Sequence, residues 1–320
     1  MTPQVVFAIP PKAHLLDLNG PAHVFYEAKQ LGVDIELLYV AIDQSKALES
    51  SAGLAFNRLT SFENLGLGQG DFIIIPGAEA DLITNNRLGQ KYKPFFSWLQ
   101  KQSERQVNIC SICTGSFILA ASGLLRGRAC TTHWRYVELF KSLYPTIHVQ
   151  ENRLFVKDEH IYTSAGVSAG IDMSLYILEQ RYSPEVVSQI SKEMVYPLRR
   201  SETDPQLNIF LQYRNHLDTR IHQVQDFMIH HLHQNCKAEV LANQVNMSVR
   251  NLSRLFKKKT NMTLGHYLEL LRVETAMRLL REGHKVQAVA DACGLKSTNQ
   301  LRTILKKHKS ILPSELYEVT

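Results

Sequence analysis

The chain has 320 residues, 44% of them hydrophobic and 21% charged, with a formal net charge of +6. These are the proportions of an ordinary globular protein of two domains, and no apolar run reaches the roughly 18–20 residues of a membrane span. The segment MTPQVVFAIPPKAHLL has no basic stretch ahead of its apolar one, so no secretory leader and a cytoplasmic location are expected, and five scattered cysteines (110, 113, 130, 236 and 293) do not make a disulfide framework.

In chain order, VVFAI (5–9) is a short β-rich run, and a helix is predicted over about 20–31 with Pro21 just inside its start. DIELLYVAI (34–42) and DFIIIPG (71–77) read as buried strands. FFSWLQKQ (95–102) reads as helix, QVNICSI (106–112) as strand, and TGSFILAASGLL (114–125) as a helix starting on its own glycine turn. AGIDMSLYILEQRY (169–182) is a further amphipathic helix. Repeated strand–helix–strand predicts a parallel sheet with helices on both faces. The segment YPLRRSETDPQL (196–207), rich in proline and charge, is the exit from this domain. The predicted division is a domain over 1–205, a linker over 206–218 and an all-α domain over 219–320.

Charge is uneven. Residues 216–320 hold sixteen Lys/Arg and nine Asp/Glu, so the whole basic excess lies in the last third. That points to a near-neutral domain joined to a polyanion-binding one; a merely solvated basic face has the same composition. The residue pattern sharpens this. In AEVLANQVNMSVRNLSRLFKKKT (238–260), Val240, Leu241 and Val245 share one helix face, Asn246-Met247 makes a turn, and Ser248 can cap the next helix. That helix would bury Leu252, Leu255 and Phe256 and expose Arg250, Asn251, Ser253, Arg254 and Lys257. VQAVADACGLKSTNQLRTILKKH (286–308) repeats the plan. Ser297 caps a helix that buries Leu301, Ile304 and Leu305 and exposes Thr298, Asn299, Gln300, Arg302 and Thr303. LGHYLELLRVETAMRLLREG (264–283) joins the two as one long helix. Two helix-turn-helix units with polar, basic outer faces suit two successive major-groove faces. Lys and Arg would hold phosphates, while Asn, Gln and Arg would read base edges.

These residues resemble the DNA-binding domain of AraC/XylS transcription regulators. The carriers are L-A-x-x-V-x-M-S-x-R-x-L-x-R-L-F-K (241–257), L-x-x-L-R-V-E-x-A-x-R-L-L (268–280), V-A-x-x-C-G-L (289–295) and P-S-E-L (313–316). The family has aromatic residues where this chain has Leu295, Leu301 and Leu305, and Phe-Gly where Lys309-Ser310 stands. A lysine in a buried aromatic slot predicts a less well packed second unit, and hence a larger share of base reading for the first.

The first 200 residues resemble the DJ-1/PfpI branch of the class I glutamine-amidotransferase-like superfamily. The carriers are L-D-L-N-G-P (16–21), F-I-I-I-P-G (72–77), C-T-G-S-F-x-L-A-A-S-G-L-L-x-G-R-A-C-T-T-H-W (113–134) and T-S-A-G-V-S-A-G-I-D (163–172). The resemblance implies a flavodoxin-like parallel sheet and a cysteine on a strained turn, where a helix N-terminus can lower a thiol pKa. On an enzymatic reading Cys113 is the nucleophile, Asp17 its acid/base partner, and amides near Gly77, Ala78 and Thr114 an anion hole, with His133 a more distant helper. Asp17, Cys113 and Thr114 resemble the pattern of isonitrile hydratases. Thr114, however, stands where the protease- and amidase-like members carry histidine, and Ala78 replaces the second glycine of their loop. Cys110 and Cys113 form a C-x-x-C without a second pair, and the HHLH cluster (His230, His231, His233) reads as a solvated helix segment, so neither a metal nor a cofactor is expected.

The combination resembles AraC-type regulators with an amidotransferase-like N-terminal domain. It implies a transcription regulator, activation over repression, in which Asp17, Gly77, Ala78, Cys113, Thr114 and His133 line an effector pocket. Relatives of this kind respond to nitrogen-containing metabolites such as quaternary amines or amino acids. The implied partners are double-stranded operator DNA, a small-molecule effector, RNA polymerase and a second copy of the chain, with no membrane. The rivals are an isonitrile-hydratase-like enzyme fused to a DNA-binding domain and a redox sensor acting through Cys113.

Overall fold

A computed structural model describes residues 2–79, 81, 91–196, 200, 202, 204–207, 209–214, 216–234 and 236–316. The chain divides into two compact units, Met1–Gln206 and Leu207–Thr320. Part of the predicted exit segment, residues 197–199, 201 and 203, lies outside the described residues.

The first unit is built on a six-stranded sheet of β1 (Gln4–Ile9), β2 (Glu36–Ala41), β5 (Phe72–Ile75), β6 (Asn108–Ile112), β9 (Phe155–Asp158) and β10 (Ile161–Ser164), in the order β2-β1-β5-β6-β10-β9. All neighbours are parallel except the edge pair β9–β10. Its five parallel strands therefore follow the 2-1-3-4-5 order of flavodoxin-like sheets. The short strands β3 (Ala47–Glu49) and β4 (Ala55–Asn57) pair with each other, as do β7 (Ala129–Cys130) and β8 (His148–Val149).

Strand alternation sorts the apolar side chains into two cores. Val5, Phe7, Ile9, Phe72, Ile74 and Ile112 face one side. Val6, Ala8, Ile73, Ile75 and Ile109 face the other. Both faces are covered, which is why these strands read as continuous apolar runs. Helices α1 (Leu15–Gln30), α5 (Ser168–Arg181) and α6 (Pro184–Glu193) cover the first face. Helices α2 (Lys93–Glu104), α3 (Gly115–Ala121) and α4 (Val137–Leu143) cover the second.

Two helices differ from expectation. α1 starts at Leu15, so Pro21 lies well inside it rather than at its first turn. Pro21 has no N–H to give the Asp17 carbonyl, a local cost that burial of Leu18, Val24 and Phe25 on the sheet offsets. α5 is not amphipathic. It buries the consecutive run Ala169–Leu175, because the sheet, α1 and α6 surround it.

Asp172 on α5 is fully buried and takes two hydrogen bonds from the Arg200 side chain, at 3.0 and 2.6 Å, and one from its amide at 3.2 Å. The start of the exit segment is thereby tied to the first unit. Gln206 is buried too, giving hydrogen bonds to Thr131 Oγ1 at 3.2 Å and the Thr132 carbonyl at 2.9 Å.

The second unit is all-α. It comprises α7 (Ile209–Gln212), α8 (Thr219–His230), α9 (Ala238–Gln244), α10 (Val249–Thr260), α11 (Leu264–Arg281), α12 (Val286–Ala292) and α13 (Thr298–Lys309), then a 3-10 turn at Pro313–Leu316. The expected linker over 206–218 is replaced in part by α7, whose first amide bonds Glu274 at 3.0 Å, and by Tyr213, edge-on to Tyr267. Ile209 and Tyr213 of that segment pack on the core of the α-domain, whereas Leu217 is exposed. The HHLH cluster is not one helix face. α8 ends at His230, and His231 stacks on Phe227 with centroids 4.1 Å apart.

Gln206 and Tyr213 bracket the point where the chain leaves one unit for the other. Limited trypsin and chymotrypsin digestion of the full chain should therefore cut first between about 207 and 218, or in the 196–203 stretch, and release two resistant fragments. First cleavage within 106–134, read by mass spectrometry, would contradict this division.

Candidate functional site

Open parallel sheets bind ligands beyond the carboxyl ends of their strands, near the place where strand order reverses. Here that place lies between β1 and β5. Four chain segments leave neighbouring strand ends there: Ala13–Asp17 after β1, Pro76–Ala78 after β5, Cys113–Thr114 after β6 and Ala165–Val167 after β10.

Cys113 takes φ +56°, the left-handed region that non-glycine residues seldom adopt. The turn is pinned from several sides. The Cys113 amide donates to the Ser164 carbonyl at 3.0 Å, and its carbonyl accepts from the hydroxyls of Ser116 at 3.1 Å and Thr132 at 3.2 Å. Because Cys113 has left the strand, alternation no longer applies to it. Cys110 and Cys113 lie in the same core rather than on opposite sides of the strand end.

Glycines make room for the thiol. A Cβ on Gly166 would lie 2.5 Å from Cys113 Cβ and 2.8 Å from its Sγ. A Cβ on Gly77 would lie 2.6 Å from Asp17 Oδ2 and 2.8 Å from Thr114 Oγ1. Neither position tolerates a side chain without movement.

Asp17, on the first turn of α1, is fully buried. Its Oδ1 accepts from the Val167 amide at 2.6 Å. Val167 is a β-branched residue at φ +49°, an outlier held by that bond. Oδ2 is buried with no hydrogen-bond partner. Burial pushes the Asp17 carboxyl above the usual range, against the pull of the Val167 amide, His14 and Cys113.

The thiol moves the other way from expectation. Burial, and then the Asp17 charge, push Cys113 far above the ordinary thiol range, and the Thr114 amide only partly opposes them. The anion-hole expectation also changes. Thr114 Oγ1 accepts from the Ala78 amide and donates to the Ala78 carbonyl, both at 2.9 Å, so that amide is already spoken for.

Asp17, Gly77, Ala78, Cys113 and Thr114 are thus brought together, and His133 stands at the periphery. Its Nδ1 accepts from the Arg135 amide at 3.3 Å, capping the Trp134–Tyr136 turn. Burial, Arg135 and His14 hold its pKa below the usual imidazole range, so it is neutral at pH 7. His14 was not singled out in the sequence. It influences both Asp17 and His133 and bonds Ser51 Oγ at 3.2 Å. Its one signal is its place directly before the Asp17 helix. A surface depression lined by Lys141, Tyr144, His148 and their neighbours shares no residue with this cluster.

In the second unit, Ser248 Oγ accepts from the Asn251 amide and Ser297 Oγ from the Gln300 amide, each at 3.3 Å, as predicted for the two caps. Asn246, at φ +51°, makes the first turn. Leu252 and Phe256 are fully buried, and Arg250, Asn251, Ser253, Arg254 and Lys257 are exposed along the other face of α10. Val240 is exposed, and Ala242 fills its expected place in the core.

On α13, Leu301 and Leu305 are fully buried, and Asn299, Gln300, Arg302 and Thr303 are exposed, while Thr298 is half-buried. The concern over Lys309 does not hold. Lys309 is exposed, because Ser310 ends the helix in the left-handed region at φ +56°. Two expected base readers have local partners. Gln300 accepts from the Lys296 amide at 2.8 Å, and the Thr303 hydroxyl donates to the Asn299 carbonyl at 2.8 Å. Asn299 also accepts from Arg302 at 3.0 Å.

Residues 3–180 match the model of the DJ-1/PfpI family, and residues 241–318 match that of a helix-turn-helix domain. The chain is 29% identical over 220 residues to the HTH-type transcriptional regulator GbdR of Pseudomonas aeruginosa, a match over 68% of this chain and 60% of that protein. It is 28% identical over 198 residues to the isonitrile hydratase of Pseudomonas putida, covering 61% of this chain and 79% of the enzyme. The crystal structure of Drosophila melanogaster DJ-1beta aligns with a TM-score of 0.52 at 20% identity, covering 61% of this chain and 98% of that one. At that identity the likeness shows the fold alone.

A raised thiol pKa lowers the thiolate fraction at neutral pH. Iodoacetamide should therefore modify Cys113 more slowly than a free cysteine at pH 7.5, at a rate still rising at pH 9. Asp17→Asn keeps an acceptor for the Val167 amide and removes the charge that opposes the thiolate, so it should speed labelling. Peptide mapping by mass spectrometry reads both. A rate that levels off below pH 7 would contradict the raised pKa.

Proposed function

Because the chain belongs to the DJ-1/PfpI family and carries an AraC-type helix-turn-helix domain, we propose that it is a sequence-specific transcription regulator whose first unit senses a small metabolite. The observation that carries this reading is the second unit. Two capped helices, α10 and α13, bury their leucines and present Arg250, Asn251, Arg254, Lys257, Asn299 and Arg302 outward. That is the residue chemistry of phosphate holding and base-edge reading. The match to an HTH-type transcriptional regulator supports it, although that match takes in only 60% of the relative's length.

The cluster around Cys113 is read as an effector site rather than a catalytic one. A neutral thiol packed between Gly77 and Gly166, beside an amide already bonded to Thr114, suits binding or structure better than nucleophilic attack. Asp17 offers a buried acceptor, Oδ2, of the kind that a nitrogen-containing ligand would use. Activation, RNA polymerase contact, a homodimer and a cytoplasmic location complete the proposal. Among the described residues, no helix is long and apolar enough to cross a membrane. The hydratase reading is favoured by one observation, the match to the Pseudomonas putida enzyme.

The test uses duplexes selected from a random library, titrated at several salt concentrations. Arg254→Ala should cost about 1–3 kcal/mol on the selected site and relax preference at one or two base pairs. Asn299→Ala should also reduce specificity, since α13 is fully packed. Lys257→Ala should weaken all sequences alike and lower the salt slope by about one. Cys113→Ser should leave basal affinity unchanged, and the wild type should not hydrate isonitriles. If no duplex is selected, or none of the three outer-face changes matters, the regulator reading fails. Turnover abolished by Cys113→Ser would establish the enzyme instead. Loss of DNA affinity on peroxide treatment, prevented by the same substitution, would establish a redox sensor.

A further inference from the structure

α11 and α13 bring together three side chains from two separate stretches of the sequence. His266 and Glu269, three residues apart, share a face of α11. His308, in the last turn of α13, packs against both. Its Nε2 is 3.3 Å from Glu269 Oε1, and the rings of His266 and His308 are 5.7 Å apart at their centroids. One ligand atom from each of the three lies within 4.8 Å of the other two. We propose that His266, Glu269 and His308 bind a divalent metal ion of the zinc type, which staples the second DNA-reading helix to the central helix.

Two imidazoles and a carboxylate are the donor set such an ion takes, leaving a fourth position for water. With bonds of about 2.0–2.2 Å, tetrahedral ligand atoms stand roughly 3.3–3.5 Å apart. The His308–Glu269 pair already meets that spacing. His266 is exposed and free to close the remainder by rotating its side chain. His308 Nε2 is buried and points at Glu269 Oε1, so an ion would sit where these two atoms now meet.

Lys307 is the competitor. Its Nζ lies 2.9 Å from both Glu269 oxygens. A dication at the same carboxylate repels the ammonium, so metal binding weakens the Lys307 contact. Removing the Lys307 charge should therefore tighten the metal, a result that mere surface adhesion by histidine does not produce.

The full chain, stripped with chelator, is titrated with zinc chloride alone by calorimetry. One equivalent should bind with a roughly micromolar or tighter Kd. His266→Gln and His308→Gln should each weaken it by about tenfold or more. Lys307→Met should tighten it several-fold. Circular dichroism checks the fold, and exposed His266 provides the variant that leaves packing intact. No uptake by the wild type, or uptake undiminished in the His266→Gln/His308→Gln pair, would overturn the proposal. So would a Lys307→Met variant with unchanged affinity.

Discussion

The amide of the exposed Val167 reaches the buried Asp17 Oδ1 across 150 residues of chain, at 2.6 Å. The candidate site of the first unit depends on that bond. It joins the ends of β1 and β10, with the β5 and β6 ends between them. It holds Val167 at φ +49° and so seats Gly166 against the Cys113 thiol. It also occupies Oδ1 and leaves Oδ2 packed close against Gly77. A buried acceptor with one satisfied oxygen is costly unless something completes it.

The same burial decides the chemistry of the thiol. A cysteine on a tight strand-to-helix turn is reactive when water and positive charge stabilise its anion. Here water is excluded and the nearest ionisable neighbour is acidic, so both causes act against the thiolate. Thr114, at the start of α3, only partly opposes them. One scaffold can therefore carry an enzyme's residue pattern and still hold its cysteine neutral.

In the second unit the constraint is the long helix α11. Its first half, with Tyr267, Leu268 and Leu271, belongs to the core under α10. Its second half, with Val273, Ala276 and Leu280, belongs to the core under α13. One rigid element thus sets the spacing of α10 and α13, whose basic faces point outward. It also carries His266 and Glu269 to where α13 ends.

Sequence by itself determined the fold class, the two-unit plan and the outward faces of α10 and α13. Those rest on local periodicity, caps and strand alternation, each encoded within a few residues of the chain. It also marked Asp17, Cys113 and Thr114, because turn and helix-start residues carry recognisable patterns. Tertiary structure decided the rest, because the deciding contacts are non-local. Pro21 sits mid-helix because α1 is held by burial rather than by its own start signal. The Ala78 amide is lost to Thr114, 36 residues away. Lys309 escapes the core because Ser310 turns the chain one residue later. The roles of His14, Val167 and the His266–Glu269–His308 group depend on neighbours that chain order does not reveal. The thiol's charge state follows from its burial, a property of the whole packed domain rather than of the turn that bears it.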